Sequence, residues 1–192
     1  MWSSRTTPGL AYGTQTASSG QYDDSTAVLT GTWGQSQTVQ ATVQSVNQNG
    51  NVWEEVEIRL RTTINAHFIT GYEINFRCLK NGGAYMEIVR WNGALGDFTR
   101  LAHYDGAQYG VANGDVVKAT IAGSTITAYI NNVQMGQASD SSAFASGSPG
   151  MGFWLQGTAN TSDYGFTSFS ATDGSTTFSS TPAAPQNFRV VP

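Results

Sequence analysis

Between Trp53 and Trp91 the chain reads WEEVEIRLRTTINAHFITGYEINFRCLKNGGAYMEIVRW, and three of its segments alternate apolar and polar residues with period two. In the first, Val56, Ile58 and Leu60 oppose Trp53, Glu55, Glu57, Arg59 and Arg61. In the second, Tyr72, Ile74, Phe76 and Cys78 oppose Glu73, Asn75 and Arg77. In the third, Met86 and Ile88 oppose Tyr85, Glu87 and Trp91. Successive side chains of a strand leave on opposite faces. Three neighbouring strands of this kind therefore give one apolar face that drives folding. The other face gathers carboxylates, guanidinium groups and aromatic rings.

The same alternation recurs along the chain. A short strand is predicted within Ser25–Trp33, and another over Gln37–Val46, with Val39, Ala41 and Val43 inward. Further strands are predicted at Phe98–His103, Val116–Ile121, Thr125–Ile130, Val133–Gln137, Met151–Gln156 and Asp163–Ala171. On the strand from Met151, Phe153 and Leu155 oppose Trp154 and Gln156. Turn signals separate them: Asn-Gly at 49–50, Lys-Asn-Gly-Gly at 80–83, Gly-Ser at 123–124 and Asn-Asn at 131–132. The connection through Ile64–Ile69 reads as a looser link. No segment shows 3.6-residue apolar periodicity with caps. About a dozen short strands with regular turns predict an all-β, two-sheet antiparallel jelly-roll sandwich over residues 22–173. Residues 1–21 read as a loosely structured lead or an edge strand. The Ser/Thr/Pro-containing stretch 174–192 reads as a linker or tail, ending where a further module of a longer chain would begin.

Composition narrows the function. Of 192 residues only 11% are charged, against about 25% in ordinary domains. Ser, Thr, Gly, Asn and Gln replace them, as in extracellular, surface-exposed and virion proteins. The net charge is −4, with an isoelectric point near 4.9. No Lys/Arg cluster is present to neutralise phosphates, so nucleic acid is not an expected partner. No apolar run is long enough for a membrane span. No basic and apolar leader opens the chain, so no signal peptide is read. Cys78 is the single cysteine and falls on the apolar alternation, which predicts a buried, inert thiol.

The polar face holds the candidate chemistry. Sugar rings present apolar C–H faces and hydroxyl rims, which suit exposed indole or phenol rings flanked by amides, guanidinium groups and carboxylates. Tyr85, Trp91 and Trp154, with Glu57, Arg59, Glu73, Asn75, Arg77 and Glu87, are the expected ligand-binding residues, and a polysaccharide or surface glycan the expected partner. The competing reading is a cross-strand Glu–Arg ladder. Glu57, Glu73 and Glu87 are the fallback acid/base groups for a hydrolase, since paired carboxyls about 5–10 Å apart perform glycoside hydrolysis. His67 and His103 have no spacing that suggests a metal site and read as structural. Asp23, Asp24 and Asp163 offer hard oxygen ligands for a structural calcium, with turn-stabilising roles as the alternative; no other cofactor is expected. Asn160-Thr161-Ser162 forms a glycosylation sequon.

The segments GYEINFR, YMEIVRWNG, GDVVKATIAGSTITAYINN, GMGFW and DYGFTSF, in that order, resemble the concanavalin A-like lectin/glucanase superfamily, which includes laminin-G-like and legume-lectin-like jelly rolls. The resemblance spans roughly Tyr22–Asp173. It implies a concave sheet used as a glycan groove. Activity does not follow from it, because the superfamily includes binding modules, hydrolases, lyases and structural domains. Laminarinase-type members carry E-x-D-x-x-E. Here the run is Glu55-Val56-Glu57-Ile58-Arg59, with no aspartate between. The Q-I-H or Q-V-H triplet of the alginate-lyase pattern is missing too. A non-catalytic carbohydrate-binding module is the reading expected from sequence. The alternatives are a glycan-degrading hydrolase or lyase, and a structural or adhesion protein of a phage virion or cell surface.

Overall fold

The computed structural model describes residues 9–14 and 24–174, together with the backbone of 188–190. The strands in chain order are β1 (Ala27–Leu29), β2 (Gln37–Ser45), β3 (Trp53–Asn65), β4 (Phe68–Arg77), β5 (Tyr85–Ala94), β6 (Phe98–Asp105), β7 (Val116–Ala122), β8 (Thr125–Ile130), β9 (Val133–Ser139), β10 (Ser148–Gln156), β11 (Tyr164–Thr172) and β12 (Phe188–Val190). They form a seven-stranded sheet, in the order β12-β1-β10-β3-β4-β5-β6, and a five-stranded sheet, in the order β11-β2-β7-β8-β9. All pairings are antiparallel. The predicted two-sheet sandwich is the observed architecture.

The core follows the alternation. Val56, Ile58 and Leu60 on β3, Ile74 and Phe76 on β4, and Met86 and Ile88 on β5 meet the inward residues of β2, β7 and β8, all at most 5% exposed. Phe153 of β10 packs against Tyr164 and Phe166 of β11, with ring centroids 6.3 and 5.3 Å away. Cys78 lies in this core, and burial pushes its thiol well above the usual range. At the β8–β9 hairpin Asn131 and Asn132 take φ of 51° and 66°, the paired left-handed conformation that a two-residue hairpin turn requires. The open sides of the sandwich are tied. Ala11 exchanges backbone hydrogen bonds with Phe166 at the β11 edge. The Tyr104 hydroxyl donates to the Gln137 carbonyl and accepts from its N–H, joining β6 to β9.

Three features depart from the alternation. First, β3 and β4 run on past the expected loose link to Asn65 opposite Phe68, closing in a tight turn at Ala66–His67. Second, Arg61 leaves the polar face. A β-bulge sets Arg61 and Thr62 against the single residue Gly71, and Arg61 takes φ 45°. The inserted residue redirects the side chain, which donates to the carbonyls of Gln35 and Phe144 at 2.7 and 2.8 Å. A Cβ on Gly71 would stand 2.6 Å from Thr62 Cα, so glycine is required at the bulge. Third, the face of the seven-stranded sheet away from the core is not uniformly polar. Val28, Ile64, Ile69, Val89 and Trp91 form a second apolar cluster there, with Phe98 packed against it. Val28 pairs with Gly150 and Gly150 with Arg59, so this cluster shares the face of the charged residues.

Candidate functional site

Register assembles the polar face. Glu55 lies opposite Arg77 on β4 and Trp154 on β10. Glu57 lies opposite Asn75 and Gly152, and Arg59 opposite Glu73 and Gly150. On the next pair, Asn75 faces Glu87, and Glu87 faces His103 of β6. Directly opposed residues project from the same side of a sheet. Side chains from β10, β3, β4, β5 and β6 therefore converge on a groove of about 360 Å³ that crosses five strands.

Arg59 lies beneath the floor of this groove and is fully buried. Its guanidinium pairs with Asp24 at 2.8 Å, with Glu73 at 2.6 Å and with Glu57. Burial alone would pull the guanidinium down, but Glu57, Glu73 and Asp24 hold it above its ordinary value. Burial pushes the Glu57 carboxyl well up, and the crowding of Asp24, Glu73 and Glu55 adds to this against the pull of Arg59. Glu73 also accepts from Asn75 Nδ2 at 2.9 Å and from the Trp91 indole N–H at 2.6 Å. Among the described residues, Asp24, Glu57 and Glu73 are the cluster of metal-type ligands, with oxygens within 4.8 Å of one another. Arg59 is paired with all three, so the place a calcium would take holds a guanidinium. Asp163, the other described calcium candidate, ends a 3₁₀ turn and offers its backbone carbonyl to Val46 N–H at 2.9 Å. Asp23 lies outside the described residues.

Gly152 gives this floor its room. A Cβ there would stand 1.9 Å from Glu57 Oε2 and 2.9 Å from Arg59 Nε. Gly152→Ala is expected to lower stability by roughly 1–3 kcal/mol through overpacking. Urea unfolding checks this, and an unchanged midpoint would show that the ion pair yields freely.

The walls are more accessible. Tyr85 and Trp154 are half-buried, and Trp53 is 37% exposed. Arg77 is itself buried and stacks beneath Trp53, its guanidinium 4.9 Å from the ring centroid and 5.8 Å from that of Tyr85. It donates to the carbonyls of Gly50, Val52 and Gly83, which fixes both turns beside the rings. The Tyr85 hydroxyl donates to Glu55. Burial pushes the Glu55 carboxyl well above the carboxylate range, with Glu73, Asp24 and Glu87 adding to it against the Tyr85 bond. On the far wall Glu87 Oε1 meets Arg100 Nη2 at 2.8 Å and His103 Nδ1 at 2.6 Å.

Of the expected ligand-binding residues, Glu73, Asn75, Tyr85, Glu87, Trp91 and Trp154 line the groove. Glu57, Arg59 and Arg77 lie beneath it, and they hold its lining in place. Trp91 is only 4% exposed, with Phe98 tilted over it at 5.6 Å, so it presents an edge and no open ring face. Trp53 and Glu55, which the alternation already puts on this face, line the groove as well, and so do Phe98, Arg100, His103 and Gln156, which were not among the expected ligand-binding residues. His103 reads as structural in the sequence, and its spacing of three from Arg100 would in a regular strand put the two on opposite faces. A bulge at Leu101 restores them to one face: Arg100 pairs with Val89 and His103 with Glu87.

No protein-family model matches the chain, and no curated protein sequence matches it. Solved structures do. A carbohydrate-binding module, CBM66 from Bacillus subtilis, superposes with a TM-score of 0.63 at 16% identity, covering 90% of this chain and 91% of the other. The fold is the concanavalin A-like jelly roll. Sheep galectin-11 shares this jelly roll at a TM-score of 0.51 and 11% identity, covering 77% of this chain and 95% of that one. A GH16 protein from Bacteroides ovatus, in complex with a G4G4G3G product, gives 0.44 at 12% identity over 81% and 74%. Within the concanavalin A-like frame of this chain, the groove lies on the face of the seven-stranded sheet that points away from the sandwich core.

Proposed function

We propose that the chain is a non-catalytic carbohydrate-binding domain whose ligand lies in the groove across β10, β3, β4, β5 and β6. The observation that carries this reading is the pairing of accessible rings with hydroxyl-binding groups in one groove. Trp53, Tyr85 and Trp154 supply apolar faces for sugar rings, and Asn75, Glu87, Arg100, His103 and Gln156 supply polar partners. The volume lies in the range of small-ligand sites, which suits a short stretch of polysaccharide. The likeness in fold to a carbohydrate-binding module agrees. Glu57 and Glu73 are bonded to Arg59, and Glu87 to Arg100 and His103. Each candidate nucleophile or base is thus engaged before any substrate arrives, which favours binding over turnover.

A glycan array with a soluble polysaccharide panel tests the reading, and silence across both would sink it. Trp154→Ala is expected to weaken binding at least tenfold, about 1.4 kcal/mol or more, with the unfolding midpoint preserved. One observation favours hydrolysis as a second reading. Glu55 lines the groove, and burial pushes its carboxyl upward, the direction a general acid requires. New reducing ends released by the wild type and abolished by Glu55→Gln would establish that reading instead.

A further inference from the structure

The groove acids are compensated in two different ways. Asp24 and Glu73 are answered from below by Arg59, and Glu55 is held by Tyr85. Glu87 is answered from the groove wall itself. Arg100 and His103, the two basic side chains that line the groove, both reach its Oε1. Arg100 is half exposed and Glu87 only 10% exposed. The second nitrogen of the His103 ring faces Asp105 at 2.9 Å, and the ring stacks on Tyr85 at 5.9 Å.

A guanidinium is the natural partner for a sugar carboxylate or sulfate. Here it is already engaged by a resident carboxylate. An incoming anion would have to share Arg100 with Glu87 and sit beside that carboxylate, and like charge in a partly desolvated groove is strongly unfavourable. A neutral sugar meets no such obstacle, since its hydroxyls donate to Glu87 and accept from Arg100 with the ion pair intact. We propose that Glu87 sets the charge selectivity of the groove, masking Arg100 and His103 so that uncharged sugar chains bind and uronate- or sulfate-bearing chains are rejected. This inference rests on the carbohydrate-binding reading above. It makes Glu87 a specificity residue in which the repulsive element is built into the protein.

The test uses paired polysaccharides, each uronate-containing chain beside its carboxyl-reduced counterpart, titrated into the full chain by calorimetry at neutral pH. The wild type is expected to bind only uncharged members. Glu87→Gln keeps the shape and removes the charge. It should gain at least tenfold in affinity for the acidic member of a pair, a gain weakened by salt and lost when Arg100→Ala is added. Arg100→Ala alone, at a half-exposed position, leaves Glu87 less compensated and should keep acidic chains excluded; this variant tests the inference even if Glu87→Gln folds poorly. Equal binding of acidic and reduced chains by the wild type would overturn the inference and leave the carbohydrate-binding reading standing. So would a folded Glu87→Gln with unchanged selectivity, or an Arg100→Ala that admits acidic chains. No binding by the wild type to any chain of either kind would overturn both.

Discussion

Replacing Arg59 by methionine is expected to destabilise the domain by about 3–5 kcal/mol at neutral pH, the usual consequence of removing one partner from a buried ion network. Methionine fills a similar volume, so the loss is electrostatic rather than a cavity effect. Asp24, Glu57 and Glu73, with oxygens within 4.8 Å of one another, would be left with no cation between them. Arg59 is what pulls the Glu57 carboxyl down against burial and the crowding of Asp24, Glu73 and Glu55, so its loss leaves Glu57 raised further above its unfolded value. Groups shifted in that direction hold more protons in the native state, so stability falls as pH rises. The variant should therefore regain stability on acidification toward pH about 5, and a second change, Glu57→Gln, should restore part of the loss at neutral pH. Urea unfolding across pH reads both effects. A variant as stable as the wild type at pH 7 would show that Arg59 does not hold the groove floor together.

Glu54→Gln should do the opposite and stabilise the protein at alkaline pH. Glu54 shares the inward phase of Val56, is 2% exposed, and neither carboxyl oxygen has a hydrogen-bond partner among the described residues. Burial pushes its pKa up to about 7, helped by Asp163 nearby. Between the unfolded value of 4.5 and this folded value, only the native state keeps the proton. Stability is therefore full below the unfolded pKa and is lost as pH rises through about 7, by an amount on the order of 3 kcal/mol. Glutamine stands in for the protonated acid and does not titrate. Thermal unfolding curves of the two proteins should nearly coincide at pH 4 and separate by pH 8, with the variant melting higher. Parallel pH profiles would mean that the carboxyl finds solvent or a partner in the folded protein.

Both predictions concern acids on β3, and the sequence distinguishes them only in part. The alternation in WEEVEIRLR places Glu55, Glu57 and Arg59 on one face, as observed. The same alternation puts Glu54 inward with Val56, an observation that periodicity makes available but composition argues against. The groove shows a similar split. Glu73, Asn75, Glu87 and Trp154 were legible as its lining because each sits in an unbroken period-two segment. Arg100 and His103 were not, since the Leu101 bulge reverses the phase between them, and a bulge is a matter of pairing that the local residue pattern does not reveal.

The sequence by itself determined the fold class and which residues face the core. A period of two, repeated between turn signals, leaves few arrangements that bury every apolar face, and two packed antiparallel sheets satisfy them all. Tertiary structure alone decided the fate of the outer face. Whether Arg59 meets a ligand or three carboxylates depends on Asp24, 35 positions earlier, and on the space left by Gly152 on a strand joined late in the chain. Whether Trp91 is a platform or a buried edge depends on Phe98 and on Glu73 across the sheet. Local pattern selects a face because that choice is made residue by residue. What covers the face depends on register, bulges and loops that bring distant residues together, and these decide which polar groups stay free to bind.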